Sequence, residues 1–180
     1  MTLTDSELLL LGLVAEMPRH GYELEQVIET RGMREWTQIG FSSIYFVLGK
    51  LEKAGLVLAE APAGTKARKT FSATAAGHEA LLEQTISALG AYRPTHSSLL
   101  LGMIHWPALS RESALAALDN RLSSVMAEAE RLELMRRQRQ PMPDHIEVLF
   151  DFSASQLAAE RGWITTTLDY MRSKPWPTKE

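Results

Sequence analysis

Ser42-Ser43-Ile44-Tyr45-Phe46-Val47-Leu48-Gly49-Lys50-Leu51-Glu52-Lys53-Ala54, closed by Gly55, is the stretch on which the fold of this chain turns. Ile44, Val47, Leu48 and Leu51 recur at steps of three and four, so one stripe of a helix packs inward. Ser42, Ser43, Phe46, Gly49, Lys50 and Lys53 then face outward, a short-chained, hydroxylated and basic surface. Ser42 suits the amino-terminal cap and Gly55 the left-handed residue past the carboxyl end, so both boundaries are locally encoded. Gly49 in mid-helix costs roughly 1 kcal/mol against alanine, which the close approach of another backbone would explain. Taken alone, the segment fits a solvated surface helix about as well as one that enters a groove.

The residues that follow tip the balance. Residues 56–60 form a short apolar-rich strand, Pro62-Ala63-Gly64 is turn chemistry, and residues 66–72 alternate as a second strand. Lys66, Arg68 and Lys69 gather near the tip of this hairpin. Lysines on an edge strand can serve only to block aggregation. Beside a polar helix of this kind they point to phosphates.

Two helices complete the unit on its amino-terminal side. Thr4-Asp5-Ser6-Glu7 has the capping-box pattern and opens the apolar run from Leu8 to Val14, which Pro18 ends. A second helix starts at Gly21 and places Leu24, Val27 and Ile28 on one side. Three helices followed by a two-stranded wing make a winged helix-turn-helix, in a chain that reads as mainly α throughout.

The same residues resemble the PadR family of transcriptional regulators. The resemblance lies in His20-Gly21-Tyr22-Glu23-Leu24, Ser43-Ile44-Tyr45, Leu51-Glu52-Lys53-Ala54-Gly55-Leu56-Val57, Ala67-Arg68-Lys69-Thr70-Phe71 and Thr74-Ala75-Ala76-Gly77. It covers about the first 80 residues in the family's order. It implies a DNA-binding regulator, more commonly a repressor, acting on an inverted repeat of the ATGT and ACAT kind.

Composition bounds the alternatives. The chain has 180 residues, 45% of them apolar, which suffices for one ordinary domain or two small ones. It has no cysteine, hence no disulfide, thiol nucleophile or sulfur-ligated zinc. It has no basic-then-apolar leader and no apolar run near 18 residues, so a cytoplasmic protein without membrane contact is expected. The net charge of −3 argues against indiscriminate coating of nucleic acid and leaves room for a basic footprint on one face. The histidines at positions 20, 78, 96, 105 and 145 lack metal-ligand spacing, and no phosphate loop, dinucleotide fingerprint or nucleophile elbow occurs, so neither a cofactor nor an enzyme is expected.

Beyond the wing, residues 75–89 read as a helix, and Arg93-Pro94-Thr95 marks the division between a DNA-binding domain, 1–92, and a helical domain, 93–180. Residues 98–106 form an apolar helix stopped by Pro107, and Ser110 caps a long helix reaching about Gln140. In it Leu115, Leu118, Leu122, Val125, Ala129 and Leu132 alternate steps of three and four, a coiled-coil seam. After Pro141 and Pro143, residues 144–173 give an antiparallel helix with Ile146, Leu149, Phe150, Leu157, Ile164, Leu168 and Met171 buried. A seam on a long arm favours a homodimer through Leu115, Leu118, Leu122, Val125, Leu132, Ile164 and Leu168, and packing within one hairpin would use the same pattern. The tail's layout, with Trp163 in its last helix, resembles the dimerisation domain of longer PadR members.

In a twofold dimer two reading helices would sit about one DNA turn apart on a pseudo-palindrome. Ser42, Ser43 and Lys50 would reach base edges or phosphates of double-stranded DNA, Tyr45 a phosphate, and Phe46 a thymine methyl. Tyr22 is either a phosphate anchor or a packing residue of the second helix. The arginines at 136, 137 and 139 form a second basic cluster, of the sort that ends a solvated helix. Trp36, Tyr92, Trp106, Phe150 and Trp163 either fill core and interface or line a pocket between domains or across a dimer. The resemblance implies a small aromatic effector there, a phenolic acid or planar drug, with Trp106, Phe150 and Trp163 as its contacts. The rival class is a noncatalytic module that binds another protein through the helical arm.

Overall fold

The computed structural model describes residues 2–37, 39–60, 69–92 and 94–176. They fall into two compact units, Met1–Pro94 and Thr95–Glu180.

The first unit opens with α1, Asp5–Glu16, capped by Thr4 through a capping box with Glu7. Arg19 is buried just past its end, where Nη1 donates to the Leu13 carbonyl and Nη2 to Glu16 Oε2 at 2.9 Å. A guanidinium there satisfies a last-turn carbonyl and meets the negative end of the helix dipole. Next come β1, Arg19–His20, and α2, Gly21–Thr30. A single 3-10 turn, Met33–Glu35, leads to α3, Phe41–Lys53. Leu10, Leu11, Leu24, Ile28, Ile44 and Leu48 from the three helices are fully enclosed, with Val57 and Phe71 of the strands closing the core. Each such side chain contributes about 1.5–3 kcal/mol by leaving water.

The cap of α3 lies two residues earlier than its hydroxyls suggest. This cap is Gly40, whose carbonyl accepts from the Ser43 N–H at 3.1 Å, so Ser42 lies in the first turn and is not the cap. The carboxyl end follows expectation: Gly55 has φ 73°, the Leu56 N–H donates to the Leu51 carbonyl at 3.0 Å, and the Gly55 N–H to that of Glu52 at 3.0 Å.

β2, Val57–Glu60, and β3, Thr70–Ala73, pair antiparallel, with Val57 opposite Ala73 and Glu60 opposite Thr70. The second strand was expected from residue 66; Lys66, Ala67 and Arg68 lie outside the described residues. The wing is also not a lone hairpin. β1 pairs on the other edge of β3, Arg19 opposite Phe71 and His20 opposite Thr70, making a three-stranded sheet of order β1-β3-β2. Two residues between Pro18 and the second helix are too short to leave an alternating pattern. α4, Ala75–Gly90, then starts from the Thr74 cap. Its Gly77 abuts the Leu56 main chain so closely that a Cβ would collide with the Leu56 carbonyl oxygen.

The second unit consists of α5, Ser98–His105, a 3-10 turn Trp106–Ala108, α6, Arg111–Gln138, and α7, Asp144–Ser173. Ser110 caps α6 as expected. α6 and α7 form an antiparallel hairpin whose pairing is stepped off by three arginines. Arg111 Nη2 donates to the Met171 carbonyl at 2.7 Å, Arg121 Nε to Glu160 at 2.5 Å, and Arg136 Nη2 meets Glu147 at 2.7 Å.

The apolar seam is used here. Leu118, Val125, Leu132, Ile164 and Leu168 are buried within their own chain, and Leu115 and Leu122 are half-buried against the same cluster. The stripe thus serves the packing within one hairpin that the same pattern allowed, with Leu115 and Leu122 left partly open. Leu149, expected inside, is exposed, and Ile146 and Leu157 are only half-buried, because the α7 stripe that meets α6 runs through Phe150, Ile164, Leu168 and Met171.

Candidate nucleic-acid interface

The inner stripe of α3 is sealed, so the opposite face carries whatever the helix does for function. There Phe46 is 66% and Tyr45 52% exposed, while Ser43 is half-buried. The side chain of Ser42 lies outside those described. A Cβ built on Gly49 meets nothing within 4 Å, so the glycine leaves this face low without serving any contact inside the unit.

Tyr45 crosses from α3 to the first residue of α2. A Cβ at Gly21 would lie 2.5 Å from the Tyr45 Cζ and 2.8 Å from its hydroxyl, so only glycine admits the ring. The phenol is thereby held at the amino end of α2, and Tyr22, also exposed, follows in the chain. Two phenolic hydroxyls near a helix amino terminus form surroundings suited to a phosphate, since the dipole's positive end favours an anion. The spacing of Gly21 and Tyr45 in sequence hides this contact; the paired motifs His20-Gly21-Tyr22 and Ile44-Tyr45 are its only trace.

Lys50 stands one turn beyond Phe46, its Nζ 4.9 Å from the ring centroid and 3.8 Å from Glu7 Oε1. Arg31 and Arg34 of the helix-turn-helix are committed internally. Arg31 meets Glu16 at 2.7 Å, and Arg34 Nε meets Glu29 at 2.5 Å, while its Nη2 pairs with Glu25 and its Nη1 donates to the Ile39 carbonyl. The Arg31 guanidinium, hydrogen-bonded to Glu16, holds that carboxyl below the usual carboxylate range despite partial burial. Lys50, Lys53 and Lys69 are exposed and carry the outward charge among the described residues of this unit.

Lys69 leads directly into β3, and its carbonyl lies 3.2 Å from His20 Nδ1. The same nitrogen is 3.0 Å from Thr70 Oγ1, so the base of the wing is tied to the residue preceding α2. Lys66 and Arg68 lie outside the described residues. The exposed face of α3 is thus marked in the sequence, whereas Gly21, Glu7 and His20, which position it, act through contacts distant in the chain.

In the second unit the three expected effector contacts separate. Trp106 and Trp163 line one cavity of about 270 Å³ with Leu99, Met103, Leu118 and Arg121. Phe150 is fully buried elsewhere, beside a cavity of about 90 Å³ between Val125 and Leu132 of α6 and Leu157 of α7. It packs inside the hairpin, more than three helical turns along α7 from Trp163, so the two do not line one cavity. The second basic cluster is also occupied in part. Arg136 meets Glu147 and, at 2.9 Å, Asp151, and Arg137 meets Glu133 at 2.7 Å. The Arg136 guanidinium is raised by its bond to Glu147, whose carboxyl is lowered first by Gln140 and then by Arg136.

Among the described residues no group of acidic or histidine side chains could hold a metal ion, and no helix is long and apolar enough to cross a membrane.

Residues 10–83 match the family model of the transcriptional regulator PadR-like family. No curated protein matches in sequence. Among solved structures, Bacillus subtilis PadR in complex with operator DNA is similar, with a TM-score of 0.74 and 18% identity over 92% of this chain and 98% of that one. The same Bacillus subtilis protein in complex with p-coumaric acid gives 0.73 and 19%, over 93% and 98%. A PadR-like transcriptional regulator from Bacillus cereus gives 0.66 and 19%, over 95% and 100%. Identities this low carry the fold alone, and the match to the family model is confined to residues 10–83. The amino-terminal unit of this chain is thus similar to the PadR-like family of transcriptional regulators over residues 10–83, and its winged-helix fold with a helical carboxyl-terminal region is that of the solved PadR structures.

Proposed function

We propose that the chain is a sequence-specific repressor that grips a pseudo-palindromic operator as a homodimer in the cytoplasm and releases it on binding a small aromatic effector. The observation that carries the reading is the outer face of α3, where Tyr45, Phe46 and Lys50 stand exposed over a sealed inner stripe. In this reading α3 enters the major groove, Phe46 touches a thymine methyl, and Tyr22, Tyr45 and Ser43 hold flanking phosphates. Ser42 joins them at the same end of the helix. Lys66, Arg68 and Lys69 of the wing add attraction more than sequence choice.

The operator-bound Bacillus subtilis PadR supports a DNA ligand, and the p-coumaric acid complex supports an aromatic one. Trp106 and Trp163 at a common cavity fit such a ring. The dimer rests on exposed apolar side chains of the helical unit, Val148 and Phe152 of α7 among them, in place of the enclosed seam.

A gel shift on the promoter beside the gene tests the reading. If each of two subunits neutralises about three phosphates, log K falls against log salt with a slope on the order of −5, flattened by Arg68→Ala. Addition of p-coumaric acid or a planar aromatic drug should release the duplex. Absence of sequence-selective, salt-sensitive retardation overturns the reading.

A further inference from the structure

Lys50 is the cation in the middle of the α3 face, yet its ammonium already has a carboxylate beside it. Glu7, from the first turn of α1, lies against it, and the two oxygens of that carboxylate have separate tasks. Oε2 accepts from the Thr4 N–H at 2.8 Å and closes the capping box, whereas Oε1 faces Lys50 Nζ at 3.8 Å. The Glu7 side chain is 11% exposed and anchored by that cap, while the Lys50 side chain is 51% exposed. The pair therefore consists of a fixed anion and an exposed cation, with the Phe46 ring under the lysine ammonium.

We propose that Glu7 is a positioning residue of the DNA interface, holding Lys50 back over Phe46 and competing with phosphate for its charge. A lysine free to follow the backbone adds the same attraction to every sequence. Tethered to Glu7, Lys50 makes a phosphate contact only by exchanging one anion for another. An exposed ammonium at this distance belongs to the class of ion pairs weak enough to be exchanged. Indiscriminate affinity is thereby trimmed, while Phe46 and the hydroxyls of α3 keep their part in reading. This inference rests on α3 being the DNA-reading helix.

Glu7→Gln separates the two tasks, because glutamine closes a capping box as glutamate does but carries no charge. The full-length protein and its variants are titrated onto a fluorescein-labelled, mixed-sequence duplex about three helical turns long, with binding read by anisotropy across a salt series. At low salt Glu7→Gln should bind about two- to fivefold tighter. The log–log salt slope should steepen by about one per subunit. In a Lys50→Met background the same substitution should change neither quantity, and thermal melting of all four proteins checks that the fold is kept. Lys50→Met alone leaves the α1 cap untouched, and it should flatten the slope less than Lys69→Met does, since Lys50 surrenders a partner on binding.

Weaker binding by a folded Glu7→Gln protein, an equal gain with and without Lys50, or equal flattening by Lys50→Met and Lys69→Met overturns the role of Glu7. Those results leave the regulator reading standing as long as the unsubstituted protein binds the duplex in a salt-sensitive way. Failure of that binding overturns both.

Discussion

In α1, Leu10 and Leu11 are fully enclosed, whereas in α5 the equally apolar Leu100 and Leu101 are 47% and 61% exposed. The contrast extends across both units. Three helices and a sheet surround the first core, so the apolar stripes of α1, α2 and α3 find partners within the unit, while α4 leaves Leu82, Ile86 and Leu89 exposed. A two-helix hairpin has one inner face; once Phe150, Ile164 and Leu168 have filled it, Val148, Leu149 and Phe152 remain outside. Apolar surface left in a contiguous region marks a place where something else binds, and a second copy of this chain is the proposed occupant.

The largest effects should come from breaking each core separately. Leu11→Ala should cost about 2–5 kcal/mol and Phe150→Ala about 3–5 kcal/mol. Residue-resolved hydrogen exchange checks whether the lost protection stays in α1 to α4 for the first and in α6 and α7 for the second. Loss spread evenly over both units would erase the contrast.

A substitution on the outer face of α7 sharpens it further. Phe152→Glu should leave the hairpin's melting curve unchanged at high dilution yet weaken self-association at least about tenfold, equivalent to about 1.4 kcal/mol. Sedimentation equilibrium decides. Unchanged association would move the dimer contact to another exposed surface, α5 being the next to try.

The smallest effect concerns the charge that borders the first core. Glu16 is held low by Arg31, so the pair stabilises the fold above the ordinary carboxylate range and that contribution is lost as pH falls through the lowered value. At neutral pH Glu16→Gln should be less stable by a few tenths of a kcal/mol, because half-exposed pairs are screened. The difference should vanish in acid. Denaturant midpoints at neutral pH and near pH 3 measure it.

Much of this architecture was legible because the signals are short-range. The Thr4 and Glu7 capping box, the Gly55 ending and the Ser110 cap are each settled by hydrogen bonds within a few residues, and all three occur where the residues place them. The α3 stripe of Ile44, Val47, Leu48 and Leu51 is equally direct, since periodicity reports which face of a helix is buried. Ser42 is not the cap because the helix already begins at Phe41, with Gly40 before it in extended backbone. The site was legible in Phe46, Tyr45 and Lys50 and illegible in Gly21, His20 and Glu7, whose partners lie 24, 49 and 43 positions away along the chain.

By itself, then, the order of residues determined where helices begin and end, which stripes are apolar, and which hydroxyls and cations face outward. It did so because backbone hydrogen bonding and side-chain period act between near neighbours. Tertiary structure alone decided that β1 joins the sheet, that Lys50 is met by Glu7, and that the seam of Leu118, Val125 and Leu132 is covered by α7 of the same chain. An apolar stripe states that water must be excluded from it and is silent about what excludes the water. Only the packed coordinates name the partner.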